Sequence, residues 1–196
     1  MFDLIIRNAN LPDGRTGIDI AIAKGLIAEV AVNLDATARR EIDATGRLVS
    51  PPFVDSHFHL DSTLTYGRPR VNASGTLLEG IALWGELKPD LTVEDIKARA
   101  LNLCHWAIAR GTLAIRSHVD VSDDRLLTVK ALLEVREEIK SYIDLQLVAF
   151  PQDGYLRYPG SADNLKRALE LGIDVIGGIP HFERTMADGS ASIKSL

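Results

Sequence analysis

Pro51-Pro52-Phe53-Val54-Asp55-Ser56-His57-Phe58-His59-Leu60-Asp61 is the stretch that decides the fold of this 196-residue chain. Residues two apart on a strand point to the same side, so His57 and His59 aim both imidazoles at one place while Phe58 faces away. Neutral imidazole is a good ligand for divalent zinc or iron, and the pair offers half of a metal site. A bare His-x-His pair also arises in strands that bind nothing. Position separates the two readings: this pair closes a short apolar strand, predicted to be buried over Pro52 to Asp55, that opens a strand–helix series.

Downstream the pattern alternates. Thr92 is a predicted N-cap with Asp95 three residues on, and the helix it opens should reach about Arg110, where Gly111 stops it. Thr112 to His118 reads as a strand. Ser122 or Asp123 should cap a helix through about Lys140, with Leu126, Leu127, Leu132, Leu133, Val135 and Ile139 at helical spacing. Ile143 to Phe150 is a β-rich run closed by Pro151-Gln152-Asp153-Gly154. Ala162 to Leu171 is helical, Ile173 to Ile176 extended, and Ser190 to Leu196 opens a further helix. Near-continuous apolar strands alternating with helices predict a parallel sheet covered by helices. Four such strands make half of the eight that close a TIM (β/α)8 barrel.

Upstream the texture differs. Phe2 to Asn8 is a strand candidate, followed by a Pro12-Asp13-Gly14 turn. Ile18 to Ala23 and Leu26 to Val32 flank Lys24-Gly25 as a hairpin, and Ile42 to Ala44 and Arg47 to Val49 are short extended pieces. The expected organisation is a small β-rich domain over residues 1–50 and an incomplete barrel of about four β/α units over 51–196. The series reads as interrupted at Leu196, with open sheet edges that predict aggregation of the isolated chain.

Composition narrows the function classes. The chain is 46% hydrophobic and 25% charged with a formal net charge of −5, and no Lys/Arg-rich run suggests a nucleic-acid or membrane partner. No apolar run approaches the roughly 20 residues that span a bilayer, and the N-terminus reads as a strand rather than a leader. The expected location is cytoplasmic. The lone Cys104 excludes an internal disulfide and reads as a buried, inert thiol inside a helix.

The remaining polar candidates each carry two readings. His118 and Asp120 form a second same-face pair at a strand end, either orienting a ligand or water, or making an ordinary hydrogen-bonded core histidine. Gln152 is either a ring-binding amide or a loop residue bonding backbone after Pro151. Asp61 reads as a turn former, His105 as structural, and His181 follows the fourth strand without an assigned role.

The Ala44-Thr45-Gly46-Arg47-Leu48-Val49 lead-in, the Pro-Pro-Phe-Val segment and the His-Phe-His pair resemble the signature of the amidohydrolase superfamily. The likeness is greatest to cytosine deaminase and its triazine-hydrolysing relatives, such as the isopropylammelide amidohydrolases. Supporting runs are Ser74 to Ile81, Arg116 to Asp123, Leu145 to Gly154 and Ile179 to Glu183, so the resemblance spans essentially the whole chain in order. It implies that the first fifty residues are the N-terminal part of a β-sandwich. It implies that His57 and His59 are the first two ligands of one divalent metal ion, iron or zinc. Gln152 would hydrogen-bond the substrate ring, with the backbone at Leu77 helping to hold it. An amide offers both a donor and an acceptor, which suits a ring with alternating C=O and N–H groups.

The implied reaction is hydrolysis of a C–N bond in a cyclic amidine by metal-activated water, cytosine giving uracil and ammonia. A proton-shuttling glutamate belongs to a His-x-x-Glu element in such enzymes. None of the five histidines here has Glu three residues on, so no catalytic residue is assigned within the chain. The expected partner is a small-molecule ring, and assembly of the full-length protein into a homo-oligomer stays open. The chain is expected to be an inactive N-terminal fragment of such an enzyme. The alternatives are a triazine (N-alkylammelide-type) aminohydrolase and a non-catalytic truncated remnant.

Overall fold

The computed structural model describes residues 1–196, and its contacts divide them into two units, Met1–Pro51 and Pro52–Leu196. The first unit is one four-stranded sheet of β1 (Phe2–Ala9), β2 (Ile18–Ala23), β3 (Leu26–Val32) and β4 (Ala38–Asp43), in the order β3-β2-β1-β4. Between β2 and β3, Lys24 and Gly25 both take positive φ (53° and 77°), the backbone that a tight hairpin turn requires and the sequence predicts. The pairing of β4 with β1 is parallel and non-local. Arg7 holds this arrangement together, donating to the buried Asp19 carboxylate at 2.9 Å and to the carbonyls of Leu34 and Ala36. Asp19 also accepts the backbone N–H groups of Asn8 and Leu34, both at 3.0 Å. With this many donors and little water, its pKa lies below the usual carboxylate range, the bonds from Asn8, Arg7 and Leu34 outweighing the cost of burial.

The second unit carries a parallel sheet of β5 (Phe53–Phe58), β6 (Thr112–Asp120), β7 (Asp144–Phe150) and β8 (Val175–Ile176), in sequential order. Helices α1 (Leu77–Leu87) and α2 (Val93–Ala109) lie between β5 and β6 in the chain; α3 (Leu127–Ile139), α4 (Ser161–Leu171) and α5 (Met186–Ser195) follow β6, β7 and β8. A parallel sheet in sequence order with a helix after each strand is the expected half-barrel pattern. Its core lies between the helices and one face of β6 and β7. Ile96, Ala100 and Cys104 of α2 and Val129, Leu132 and Val135 of α3 meet Ile115, Val119, Leu145 and Leu147 there. Each fully buried aliphatic side chain contributes roughly 1.5–3 kcal/mol.

Several elements differ from expectation. The strand at Pro52 to Asp55 is not buried: Phe53 and Val54 are 65% and 69% exposed, because β5 is the sheet edge and pairs only with β6. Helix α1 is absent from the sequence reading; Thr76 caps it by accepting from the Glu79 N–H at 3.3 Å. Helix α3 starts later than either proposed cap. Asp123 is engaged by the backbone and guanidinium of Arg125 instead, and Leu126 takes a left-handed φ of 49° just before the helix. By contrast, Thr92 caps α2 as expected, accepting from the Asp95 N–H at 3.1 Å. No helix is long and apolar enough to cross a membrane.

Candidate functional site

The period of two along each strand separates the faces of the second sheet. Ile115, Ser117 and Val119 of β6 turn to the helices, and the alternate positions, His118 and Asp120 among them, turn the other way. On β5 the same alternation carries His57 and, just past the strand end, His59. The register Phe58↔Ser117 brings these histidines level with His118. The rings of His57 and His59 lie 5.5 Å apart, those of His59 and His118 5.4 Å apart, and those of His57 and His118 stack at 4.0 Å. Each imidazole offers one nitrogen such that all three lie within 4.8 Å of one another. Phe150, at the end of β7, meets His59 and His118 edge-on and walls one side of the cluster.

To the two readings of His118 from the sequence the structure adds a third, a place in the imidazole cluster. Its Nδ1 is buried and has no hydrogen-bond partner. Burial and the neighbouring rings push His59 down to about 4, and burial and His57 lower His118 as well. These two imidazoles are therefore neutral near pH 7, with lone pairs available to a cation. An unpartnered buried nitrogen within a group of three convergent imidazoles fits a divalent metal of the zinc or iron type.

Beside the cluster opens a cleft of about 370 Å³, and His59, Leu77 and Gln152 all line it. Sequence separates these three residues widely, and the fold brings them to one cavity. Ile81, Trp84 and Leu87 of α1 supply an apolar wall. A small heteroaromatic ring suits such a space, with a flat apolar contact on one side and an amide at its edge.

The rim is cross-linked by buried polar groups. Asp61 does form a turn, accepting the Ser62 N–H at 2.8 Å, but it is also fully buried and accepts the Asp120 N–H at 2.8 Å. Burial pushes its carboxyl up to about 7. Asp120 in turn accepts from Trp84 Nε1 at 2.6 Å and pairs with Lys88 Nζ at 2.8 Å. Lys88 also bonds Asp153, the neighbour of Gln152, at 2.7 Å. Burial acts to lower the Lys88 pKa, but Asp120 and Asp153 outweigh it and the net shift is upward. Lys88 and Trp84 are absent from the sequence reading; Trp84 lies on a helix it does not anticipate, Lys88 caps the C-terminal end of that helix, and no local motif marks them.

The other expectations resolve simply. Cys104 is buried and its thiol is pushed up to about 11 by burial, which makes it a poor nucleophile. His105 is exposed on α2, and His181 lies in a short 3-10 turn, Pro180–Phe182, outside the cleft lining.

Comparison with known proteins places this geometry. The model of the amidohydrolase family matches residues 40–189. N-isopropylammelide isopropyl amidohydrolase of Pseudomonas sp. (strain ADP) is 37% identical over 98% of this chain and 49% of its own length. The crystal structure of 5-methylcytosine deaminase from Klebsiella pneumoniae, liganded with 5-fluorocytosine, is 44% identical over 97% of this chain and 46% of its own, with a TM-score of 0.91. N-isopropylammelide isopropylaminohydrolase from Burkholderia multivorans superposes with a TM-score of 0.75 at 32% identity, over 90% of this chain and 45% of its own. The chain thus spans about half the length of these relatives. With a β-rich lead-in, a sequentially ordered parallel sheet, a His-x-His pair at its first strand end and a family match over most of its length, the chain belongs to the amidohydrolase family.

Proposed function

We propose that the whole protein hydrolyses the exocyclic C–N bond of a cytosine-type substrate, water adding to the ring carbon and the exocyclic amine leaving as ammonia. The observation that carries this reading is the single cleft that joins His59, Gln152 and Leu77. His57, His59 and His118 would hold the metal, iron or zinc, through neutral nitrogens. When bound, such an ion supplies Lewis acidity and an activated water near neutral pH. The chain's own residues do the rest of the ground-state work. Gln152 offers a donor and an acceptor to the ring edge, α1 covers its face and excludes water, and Phe150 limits the approach to the imidazoles. The proton shuttle and any remaining ligands would come from outside these residues, so the 196 residues alone are expected to be inactive. Residues 1–50 would form part of a β-sandwich, and 51–196 the first half of a TIM barrel.

A triazine reading is favoured by the Pseudomonas relative, which aligns with nearly the whole chain. A panel of cytosine, 5-methylcytosine and N-isopropylammelide, offered to the zinc- or iron-loaded whole protein, separates the two. Ammonia release from either cytosine supports the first reading; isopropylamine release alone transfers the assignment to the triazines. Turnover of none of the three, in protein shown to contain metal, overturns both.

A further inference from the structure

Gln152 sits on a turn, and turns at a strand end hold a side chain to sub-ångström tolerance only when something fixes them. Here the fixing groups are identifiable. The Pro151–Gly154 turn is closed by Gly154 N–H donating to the Pro151 carbonyl at 2.9 Å and by Gln152 N–H donating to the Phe150 carbonyl at 2.9 Å. Its outer residue, Asp153, is held twice: the Asp153 N–H donates to Ser122 Oγ at 3.0 Å, and its carboxylate receives Lys88 Nζ at 2.7 Å. Both routes run back to Asp120. The Ser122 N–H donates to Asp120 Oδ1 at 2.7 Å, and Lys88 Nζ reaches Asp120 Oδ2 at 2.8 Å.

Lys88 is itself fixed. It ends α1, its side chain is only 12% exposed, and its carbonyl accepts from the Arg125 guanidinium at 2.6 Å. One helical turn earlier, Trp84 donates its indole N–H to the same Asp120 oxygen, and Trp84 and Leu87 line the cleft. On its other side Asp120 donates its N–H to Asp61, two residues past His59, and it lies two residues past His118. One carboxylate therefore joins the imidazole end of the site to the cleft wall, and one ammonium joins that carboxylate to the turn bearing Gln152.

We propose that Lys88 and Asp120 are a positioning pair that sets the Gln152 amide at a fixed place relative to the imidazole cluster. The proposal rests on the reading of Gln152 as a ring-binding group, and neither residue of the pair is assigned a contact with substrate. Without the ammonium, Asp120 and Asp153 face each other as carboxylates lacking their shared cation. The turn then relaxes away from the cleft, because Asp153 is free to move toward water while the buried Asp120 is not.

The test is a double-mutant cycle on Lys88→Met and Gln152→Ala in the metal-loaded whole protein. Lys88→Met is expected to raise KM for the ring substrate about tenfold or more, with a smaller change in kcat and unchanged metal content. Added to Gln152→Ala it should raise KM little further, because the group it positions has gone. Lys88→Arg, which keeps the charge, should recover most of the lost affinity. Full additivity of the two changes, or an unchanged KM in Lys88→Met, overturns the proposal. Should Lys88→Met fail to fold, Asp153→Asn breaks the ion pair at the turn itself and is read in the same cycle. Amide hydrogen exchange gives a readout that needs no substrate: Lys88→Met should speed exchange over residues 151–156 and leave 112–119 unchanged. If the wild-type protein turns over no ring compound, the functional reading falls while the exchange result still decides the clamp. Equal exchange at 151–156 in variant and wild type rejects it.

Discussion

The imidazoles of His57 and His118 stack with ring centroids 4.0 Å apart and planes 27° apart, although they come from different strands. One nitrogen from each of these rings and one from His59 lie within 4.8 Å of one another, a spacing that a single cation can bridge. His118→Ala is expected to weaken zinc or cobalt binding by about 10–100-fold, by analogy with the loss of supporting groups at other metal sites. Competition against a chromophoric chelator measures this. Affinity equal to wild type would remove His118 from the set and leave His57 and His59 as the pair read from sequence.

Gln152→Ala should raise KM for the ring substrate by about tenfold to 100-fold, the range expected when one or two hydrogen bonds to a bound ligand are lost. Gln152→Glu keeps the size and an acceptor but loses the donor, so it should be as damaging for a ring presenting C=O there. Initial-rate kinetics over a range of substrate concentration provide the check; a change confined to kcat would argue that the amide does not bind the ring.

In the first unit the pH dependence has a definite sign. The folded-state pKa of Asp19 is depressed, so its contribution to stability is fully present above the unfolded value, about 3.9, and is lost as pH falls through the lower folded value. Asp19→Asn should cost about 1–3 kcal/mol at pH 7 and flatten the stability profile below about pH 4. All Trp and Tyr residues lie beyond residue 51, so amide exchange of residues 2–9 and 18–23 is the suitable readout. Unaltered acid sensitivity in the variant would show that other carboxylates dominate.

Leu132 is fully buried between α3 and the sheet, and Leu132→Ala should destabilise the second unit by about 2–5 kcal/mol through loss of burial and the cavity left behind. Urea unfolding followed by Trp fluorescence reports on this unit, since Trp84 and Trp106 both lie in it. A cost below about 1 kcal/mol would mean that α2 and α3 collapse into the space.

What the sequence made legible was local. Apolar, β-rich runs marked β6 and β7, the Thr92 cap and Gly111 bounded α2, and Lys24-Gly25 placed the hairpin, because each signal is carried by residues within a few positions of one another. What escaped depends on pairing across the chain. The parallel partner of β1, the exposure of β5 and the convergence of His118 on His57 follow from strand order and register, which no window of neighbouring residues contains. Helix α1 escaped because the polar Asn72-Ala73-Ser74-Gly75 run before it reads as loop and hides the Thr76 cap. With it went Trp84 and Lys88. The pairing of Phe58 with Ser117 is the register that puts His118 beside the first two histidines, and it was inferable only once β5 and β6 were taken as neighbours.

Because Asp120 donates its N–H to Asp61 after β5 and takes hydrogen bonds or charge from residues that end α1 and open the loop after β6, no single loop of the rim has an independent conformation. Assembly of the site is therefore a late event for the emerging polypeptide. The histidine pair leaves the ribosome first, yet it gains its third imidazole only when β6 docks, and its amide-bearing turn only after Phe150 is in place. A metal captured before that point would be held by two side chains and readily lost, so retention of an ion would report completion of this sheet.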